Sequence, residues 1–338
     1  MDPLRDPRWG ELLHASDDAL AFHHPAWLEL LRDQYGYEMG AWTVPGPGGA
    51  LSAGLPFAHV ASRLTGRRLV ALPFSDLCPP VLARGAGPHT LEALTESITL
   101  SGARNGLPIE VRAALPGAPG ASEPRFHRHV LGLTPDVAQV VAGFPRSQVR
   151  RGIAKAQRMG VTVGRRTDLA ALDAFYALHL RTRRRLGVPT QPKSFIRRFA
   201  GLFADGLGFV SLATWEQRTI AAAVFLSFGD TLIYKYGASD PRYLDKRPNN
   251  ALFMDAITWG CTNGHRRLDF GRTDLDNPGL RAFKLGWGAR EESLSYTHFP
   301  PRGPEGEGQA QRWAGAAIRR LPPSFGRLAG AALYRHFG

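Results

Sequence analysis

The clearest pattern of apolar and polar positions lies between residues 230 and 287. Residues 232–236 are β-branched and aromatic and are followed by a turn at Gly237 and Asp240, which predicts a buried strand. From 252 to 259 the apolar residues recur at helical spacing, behind a proline suited to the first position of a helix. Residues 268–270 predict a second strand. A strand, helix and strand in this order predict an α/β unit whose helix N-terminus can receive an anionic or carbonyl group.

The preceding pattern predicts an antiparallel meander that leads into this unit. Residues 209–214 and 219–228 are strand segments joined by a polar turn, and 232–236 follows them. Amphipathic helices are predicted over 169–185 and from Phe195 onward. Nearer the N-terminus we expect a hairpin of 42–44 with 54–59, a helix over 90–105 and a strand over 109–112.

Proline and glycine mark the predicted domain boundaries. Pro145 interrupts a helical pattern that begins after Asp136, and 300–308 is a Pro/Gly-rich linker. We therefore expect an N-terminal domain over 1–145, a second domain over 146–300, and a linker with basic helices over 301–338. These last helices could lie on an anionic membrane as peripheral contacts or pack back on the N-terminal domain.

Composition and charge narrow the class of protein. The 338 residues are 43% hydrophobic, which is typical of a packed globular chain. The net charge of +13 suggests a polyanionic partner, although the arginine-rich composition of proteins from a high-GC genome would produce the same excess. Two cysteines without a CxxC spacing, no signal-peptide pattern and no apolar run of about 20 residues predict a cytoplasmic protein. The His23–His24 pair lacks further ligands nearby, so no metal site is expected.

A basic stripe is predicted on the helix that follows the first boundary. Arg150, Arg151, Lys155 and Arg158 recur at spacings of three and four residues. They could contact phosphates of a nucleotide-linked acceptor or of tRNA, or they could form a solvated helix face.

Four motifs in order resemble the Fem-like branch of the GNAT acyltransferases. They are Tyr-x-Tyr-Gly-Ala-Ser from Tyr234, Arg-Pro-Asn-Asn from Arg247, Asp-Phe-Gly-Arg from Asp269, and Phe-Lys-x-x-Trp-Gly from Phe283. That branch includes peptidoglycan interpeptide-bridge transferases, which move an amino acid from aminoacyl-tRNA to an amine. The resemblance covers roughly 146–300. It implies an α/β (α+β) fold of tandem GNAT-like domains, with mixed, mostly antiparallel sheets flanked by helices and 1–145 as a degenerate copy.

The same resemblance bears on the acyl donor. Acyl-CoA-dependent members usually carry [RQ]-x-x-G-x-[GA] here, because bare backbone amides cradle the CoA pyrophosphate. Asn250 replaces the first glycine, Leu252 replaces the last small residue, and Pro248 lacks an amide donor. We therefore expect aminoacyl-tRNA as the donor, no cofactor, and an amine of a small molecule or peptidoglycan precursor as the acceptor.

The resemblance also supplies the candidate site residues. It places Lys284 at the donor site, and the four-residue spacing of Phe283 and Trp287 predicts a short helix that these two residues anchor in the core. Lys284 would contact the terminal ribose or the oxyanion, and its replacement by Met should leave folding nearly untouched. The alternative is a surface lysine without a role. Asp269 is the second catalytic candidate. The substrate-binding candidates are Tyr236, Arg272, Asn249, Asn250, Phe283, Arg150, Arg151 and Lys155.

Some of these candidates have a purely structural alternative. Asp269 could cap a turn, Arg272 could pair with it, and Tyr236 could belong to the core. For the whole chain, we expect an aminoacyltransferase that forms an amide bond. The alternatives are an acyl-CoA-dependent N-acyltransferase and a non-catalytic basic module that binds RNA or membrane.

Overall fold

The computed structural model describes residues 1–118, 124, 126–145, 148–301 and 334–336. Its helices are α1 (Pro7–His14), α2 (Pro25–Tyr35), α3 (Pro88–Asn105), α4 (Val137–Ala142), α5 (Gln148–Arg158), α6 (Leu169–Leu186), α7 (Lys193–Arg197), α8 (Phe199–Ala204), α9 (Pro248–Thr262) and α10 (Pro278–Leu285). Its strands are β1 (Glu38–Pro45), β2 (Leu51–Ser62), β3 (Gly66–Ala71), β4 (Val81–Leu82), β5 (Ile109–Val111), β6 (Phe126–Gly132), β7 (Thr162–Arg166), β8 (Gly208–Trp215), β9 (Arg218–Phe228), β10 (Thr231–Ser239), β11 (Arg267–Asp274), β12 (Arg290–Leu294) and β13 (Thr297–Phe299).

The chain divides into two units, each built on its own sheet. The first contains the described residues of 1–127, 293–301 and 334–336, and the second contains 128–292. The second unit begins at Arg128 because β6 lies in its sheet, between β12 and β11. The domain limits of 1–145 and 146–300 stay a prediction. The basic helices expected over 301–338 fall almost entirely outside the described residues.

The first unit has a mixed sheet in the order β1-β2-β3-β5-β13, with β4 beside β2. β1, β2 and β3 are antiparallel, as the predicted hairpin requires, whereas β3 and β5 run parallel. Helices α1, α2 and α3 contact this sheet, and Trp9 and Trp27 are fully buried. A short 3₁₀ turn at Tyr334–His336 belongs to this unit, since Tyr37 Oη donates to the carbonyl of Arg335.

The histidine pair of this unit has a structural role. The backbone amide of Leu20 donates to His23 Nδ1, so His23 Nε2 carries the proton and donates to the carbonyl of Pro79. Complete burial lowers the pKa of His23 to about 4. His24 Nδ1 accepts from the amide of Ala26 at the start of α2.

The second unit has the sheet order β12-β6-β11-β10-β9-β8-β7. The predicted meander of β8, β9 and β10 is confirmed as antiparallel, and β10 pairs with β11 in parallel. Ala221, Ala223 and Phe225 of β9 share a core with Phe253 and Ile257 of α9. The predicted fold class is therefore confirmed as two mixed sheets flanked by helices.

Candidate active site

The two central parallel strands of the second unit separate at their carboxyl ends. β10 and β11 pair only from Thr231 to Ile233 and from Arg267 to Asp269. Both strands continue beyond this point, to Ser239 and Asp274. In open α/β sheets, ligands bind in crevices outside the carboxyl ends of the strands. This opening is the candidate active site.

A bulge in β10 decides which side chains reach each face of the opening. The register shifts between Tyr234 and Tyr236, so these residues lie on opposite faces although they are two positions apart. The Tyr234 ring centroid lies 4.8 Å from that of Phe253 on α9. The Tyr236 ring stacks on Phe199 at 6.2 Å and lies 5.5 Å from the ring of His179. Tyr236 is thus half-buried among aromatic rings rather than fully in the core.

The bulge also buries a lysine that the sequence analysis did not single out. Lys235 is 8% exposed, and its Nζ lies 5.0 Å from the Tyr236 ring centroid. The sequence does contain a signal for this burial, because Lys235 lies between two tyrosines in an otherwise apolar strand. Lysine side chains are rarely buried, so a lysine at such a position is unusual.

Asp269 holds the irregular part of β11 in place. It is 4% exposed, and its Oδ2 accepts from Nε of Arg128 on β6 at 2.8 Å. Its Oδ1 accepts from the amide of Gly271 at 2.7 Å. Gly271 has a φ of 71°, which favours glycine, so Asp269 does stabilise a turn-like backbone within the strand.

Lys284 is buried against the same backbone. The residue is 2% exposed, and its Nζ donates to the carbonyls of Gly271 and Arg272, each at 2.9 Å. The surface-lysine alternative is therefore wrong, and these contacts argue against the expectation that replacement by Met would leave folding nearly untouched. Removing the ammonium would deprive two backbone carbonyls of a donor. Arg128, Asp269, Gly271 and Lys284 thus form one connected group, next to the exposed Arg272.

A second polar group lies behind Tyr236. Nε2 of Gln191 donates to Tyr236 Oη at 3.4 Å, so Oε1 of Gln191 accepts from His179 Nε2 at 2.8 Å. His179 Nδ1 is buried and has no hydrogen-bond partner among the described residues. Burial, and then the nearby charge of Arg183, lower the pKa of His179 to about 4, so the imidazole is neutral at pH 7. Gln191 and His179 gave no signal in the sequence beyond their place in helical or loop segments.

The start of α9 offers few backbone donors. Pro248 occupies the first position, as predicted, and has no amide hydrogen. The amide of Asn250 donates to the carbonyl of Arg247 at 3.0 Å. The Asn250 side chain lies against Gly152 of α5, where a Cβ would come within 2.6 Å of the asparagine Nδ2. Asn249 is half-buried beside it.

The remaining candidates are spread over α5 and α10. Phe283 packs on Phe253 with ring centroids 5.5 Å apart. Arg150 donates to the carbonyls of Val141 and Ala142, at 3.0 and 2.6 Å, and so caps the end of α4. Arg151 is exposed and Lys155 is half-buried on the same helix. The structure therefore brings Lys284, Asp269 and Arg272 together, while it gives Arg150 a structural use.

Two general features of the described residues complete the site description. They contain no group of three or more His, Cys, Asp or Glu side chains that could hold a metal ion. None of the helices in the described ranges has the length and apolar character needed to cross a membrane.

Comparisons with known proteins bear on the family of the second unit and on the fold. Residues 145–285 match the family model described as an acetyltransferase (GNAT) domain. The fold is similar to that of FemX, with 15% identity and a TM-score of 0.69 over 85% of this chain and 94% of that chain. It is also similar to L-PGS from Bacillus licheniformis, with 14% identity and a TM-score of 0.56 over 95% of this chain and 99% of that chain.

A third similar structure is the C-terminal domain of a putative lysylphosphatidylglycerol synthetase from Agrobacterium fabrum. It shows 13% identity and a TM-score of 0.54 over 91% of this chain and 95% of that chain. No curated protein sequence matches the chain. The family match indicates an enzyme, so the alternative of a non-catalytic binding module is set aside. Residues 145–285 therefore match the GNAT acetyltransferase family, and the fold of the chain is similar to that of FemX.

Proposed function

We propose that this acyltransferase takes its acyl group from aminoacyl-tRNA and forms an amide bond with an amine. The start of α9 carries the proposal. A CoA pyrophosphate is normally cradled by free amides in this turn, but Pro248 has none and the amide of Asn250 is bonded to Arg247. The Asn250 side chain, packed against Gly152, occupies space that a glycine would leave open.

Other observations support the same donor. The four motifs resemble those of the Fem-like transferases, and FemX has a similar fold. Two further similar structures are an L-PGS and a putative lysylphosphatidylglycerol synthetase, whose name describes an aminoacylated lipid. The net charge of +13 suits a polyanionic donor such as tRNA. The acceptor would be the amine of a small molecule or a cell-wall precursor, and the donor places the reaction in the cytoplasm.

The reaction requires little covalent catalysis by the protein. The amine nitrogen attacks the ester carbonyl, the ester C–O bond to the ribose breaks, the amine loses a proton, and the ribose oxygen gains one. The protein must orient the amine and stabilise the developing oxyanion. Lys284 and Asp269 fix the irregular backbone of β11 at the opening, and the buried ammonium places positive charge there. Tyr236, Asn249 and Arg272 would orient the substrates.

A direct comparison of donors tests the proposal. The protein would be incubated with bulk tRNA charged with labelled amino acids and a panel of amines, with RNase-treated tRNA as the control. We expect labelled amide only with intact charged tRNA, and no micromolar binding in a calorimetric titration with acetyl-CoA. The rival is an acyl-CoA-dependent N-acyltransferase, which the acetyltransferase description of the family model favours. Micromolar binding of acetyl-CoA with acetyl transfer to an amine would establish that rival instead.

A further inference from the structure

A row of cations on the second unit is left unused by the site described above. We call it the basic strip and define it by Arg181, Arg185, Arg218, Arg242 and Lys246. These residues come from the end of α6, the start of β9 and the 3₁₀ turn Pro241–Lys246 after β10. Their contacts link them into one surface.

Three arginines of the strip share a cavity. Arg181, Arg185 and Arg242 line a volume of about 440 Å³, together with Thr182 and Ser239. This size is within the rough range of 300–1,000 Å³ that is typical of ligand pockets. The Thr182 hydroxyl is buried and has no hydrogen-bond partner among the described residues.

Asp240 orients two of these arginines. Its Oδ2 lies 2.6 Å from Arg242 and 3.7 Å from Arg181. The hydrogen-bonded guanidinium of Arg242 lowers the pKa of Asp240 to about 2, so the carboxylate stays charged at neutral pH. The cavity therefore retains an excess of positive charge, with three arginines around one carboxylate.

Two aromatic rings extend the strip from the cavity to the β8–β9 turn. The guanidinium carbons of Arg242 and Arg218 lie 5.7 and 6.0 Å from the Tyr243 ring centroid. Arg218 also donates to Tyr243 Oη at 2.9 Å. Lys246 Nζ lies 3.9 Å from the centroid of Trp215, whose ring is 5.8 Å from that of Tyr243. Such cation–π contacts hold flexible cationic side chains in fixed positions.

The strip begins where the candidate active site opens. Ser239 pairs with Ala221 of β9, and Ala221 pairs with Ala213 of β8. The end of β10, the start of β9 and the end of β8 therefore share one edge of the sheet. A polymer whose end reaches the opening beside β10 would place its following phosphates along this edge.

We propose that the basic strip is the surface on which the RNA backbone of the donor docks. This inference rests on the proposed function and names where the donor is held. A row of separated, pre-positioned cations matches the spaced phosphates of a nucleic acid, which bind such groups regardless of sequence. Tyr243 and Trp215 each lie beside cations of the strip, so these rings help to position its charge.

The test measures binding of fluorescently labelled, deacylated bulk tRNA to the full chain as a function of salt. The strip variant combines Arg181→Gln, Arg185→Gln and Arg218→Gln, which keeps the Arg242–Asp240 pair intact. The control combines Arg104→Gln, Arg166→Gln and Arg266→Gln, which removes the same charge from exposed positions on α3, at the end of β7 and before β11. Each lost phosphate contact should lower the salt slope by about one, so we expect a loss of about three only in the strip variant.

Several results would overturn the inference. Equal losses in the strip and control variants would indicate a response to net charge alone. An unchanged salt slope in the strip variant would also contradict the inference. The same holds if the strip variant retains RNA binding but loses binding to phosphatidylglycerol vesicles. If the strip variant fails to melt cooperatively, Arg185→Gln alone should still reduce the slope by about one, because Arg185 is exposed at the end of α6.

The transfer assay separates this inference from the proposed function. If the strip variant binds tRNA and transfers amino acid as the parent does, the inference fails and the function stands. If the parent protein transfers acetyl groups from acetyl-CoA and nothing from charged tRNA, the proposed function itself fails.

Discussion

At the residue scale, the buried ammonium of Lys284 explains the shape of the site. The φ of 71° at Gly271 turns the backbone out of a regular strand, and the carbonyls of Gly271 and Arg272 accept from Lys284. A buried carbonyl without a donor costs free energy, so the lysine stabilises a conformation that the strand ladder alone does not satisfy. Any part that Lys284 plays in transfer is therefore combined with this structural role.

Replacing Lys284 by Met should show both roles. We expect the free energy of unfolding to fall by about 1–3 kcal/mol, because the carbonyls of Gly271 and Arg272 lose a buried donor. Loss of the positioned charge should also slow transfer by about 10²–10³ if it stabilises the oxyanion. Urea unfolding and single-turnover transfer, at a temperature where the variant is folded, measure the two effects. Lys193→Met, at a half-exposed surface lysine, is the control. Full transfer by a folded but less stable variant would leave Lys284 with a structural role only.

At the scale of elements, the contact between α5 and α9 fixes the start of α9. Gly152 lets α5 approach so closely that the Asn250 side chain fills the space where a Cβ would stand. This contact involves the residue that replaces the first glycine of the usual CoA motif. Asn250 therefore links the packing of α5 on α9 to the proposed choice of acyl donor.

A double-mutant cycle at these two residues tests the contact. Gly to Ala in a helix normally stabilises by about 0.5–1 kcal/mol. The Cβ of Gly152→Ala would meet the Asn250 amide at 2.6 Å, so the Asn250 side chain must move and this gain should be lost. In the Asn250→Ala background the same substitution should be stabilising. Unfolding of the four proteins gives the coupling energy, and an equal effect of Gly152→Ala in both backgrounds would contradict the contact.

At the scale of the whole molecule, each unit contains a buried neutral histidine. His23 lies in the first unit and His179 in the second, and burial is the largest cause of the lowered pKa of each, to about 4. Because the unfolded chain binds a proton near pH 6.5 and the folded chain does not, the unfolded state gains protons first as the pH falls. The contribution of these neutral histidines to the free energy of unfolding is complete above pH 6.5 and is lost progressively toward pH 4.

Urea midpoints measured between pH 7 and pH 4.5 should therefore fall as the pH falls. The shift from 6.5 to about 4 corresponds to about 3 kcal/mol for each histidine once the pH reaches 4. His23→Gln should reduce this pH dependence, since an amide can accept from Leu20 and donate to Pro79 without titrating. A profile in the variant that is as steep as in the parent would show that His23 does not contribute.

The sequence by itself determined the elements around the candidate site and the general class of the enzyme, but not β6 or β7. Alternation of apolar residues located the meander and the strands around 232 and 268, and Pro248 marked the start of α9. These features depend on local periodicity and backbone preference, which neighbouring residues carry. The ordered motifs added the GNAT resemblance, which the family match confirms.

Only the tertiary structure decided how the site is assembled. The pairing of Arg128 with Asp269 joins residues 141 positions apart, and the bulge at Lys235 moves Tyr236 to the face of His179. The burial of Lys284 depends on the backbone of Gly271, which the spacing of side chains does not encode. Such contacts are set by strand register and by unsatisfied backbone groups, and both are defined only when distant segments pack together.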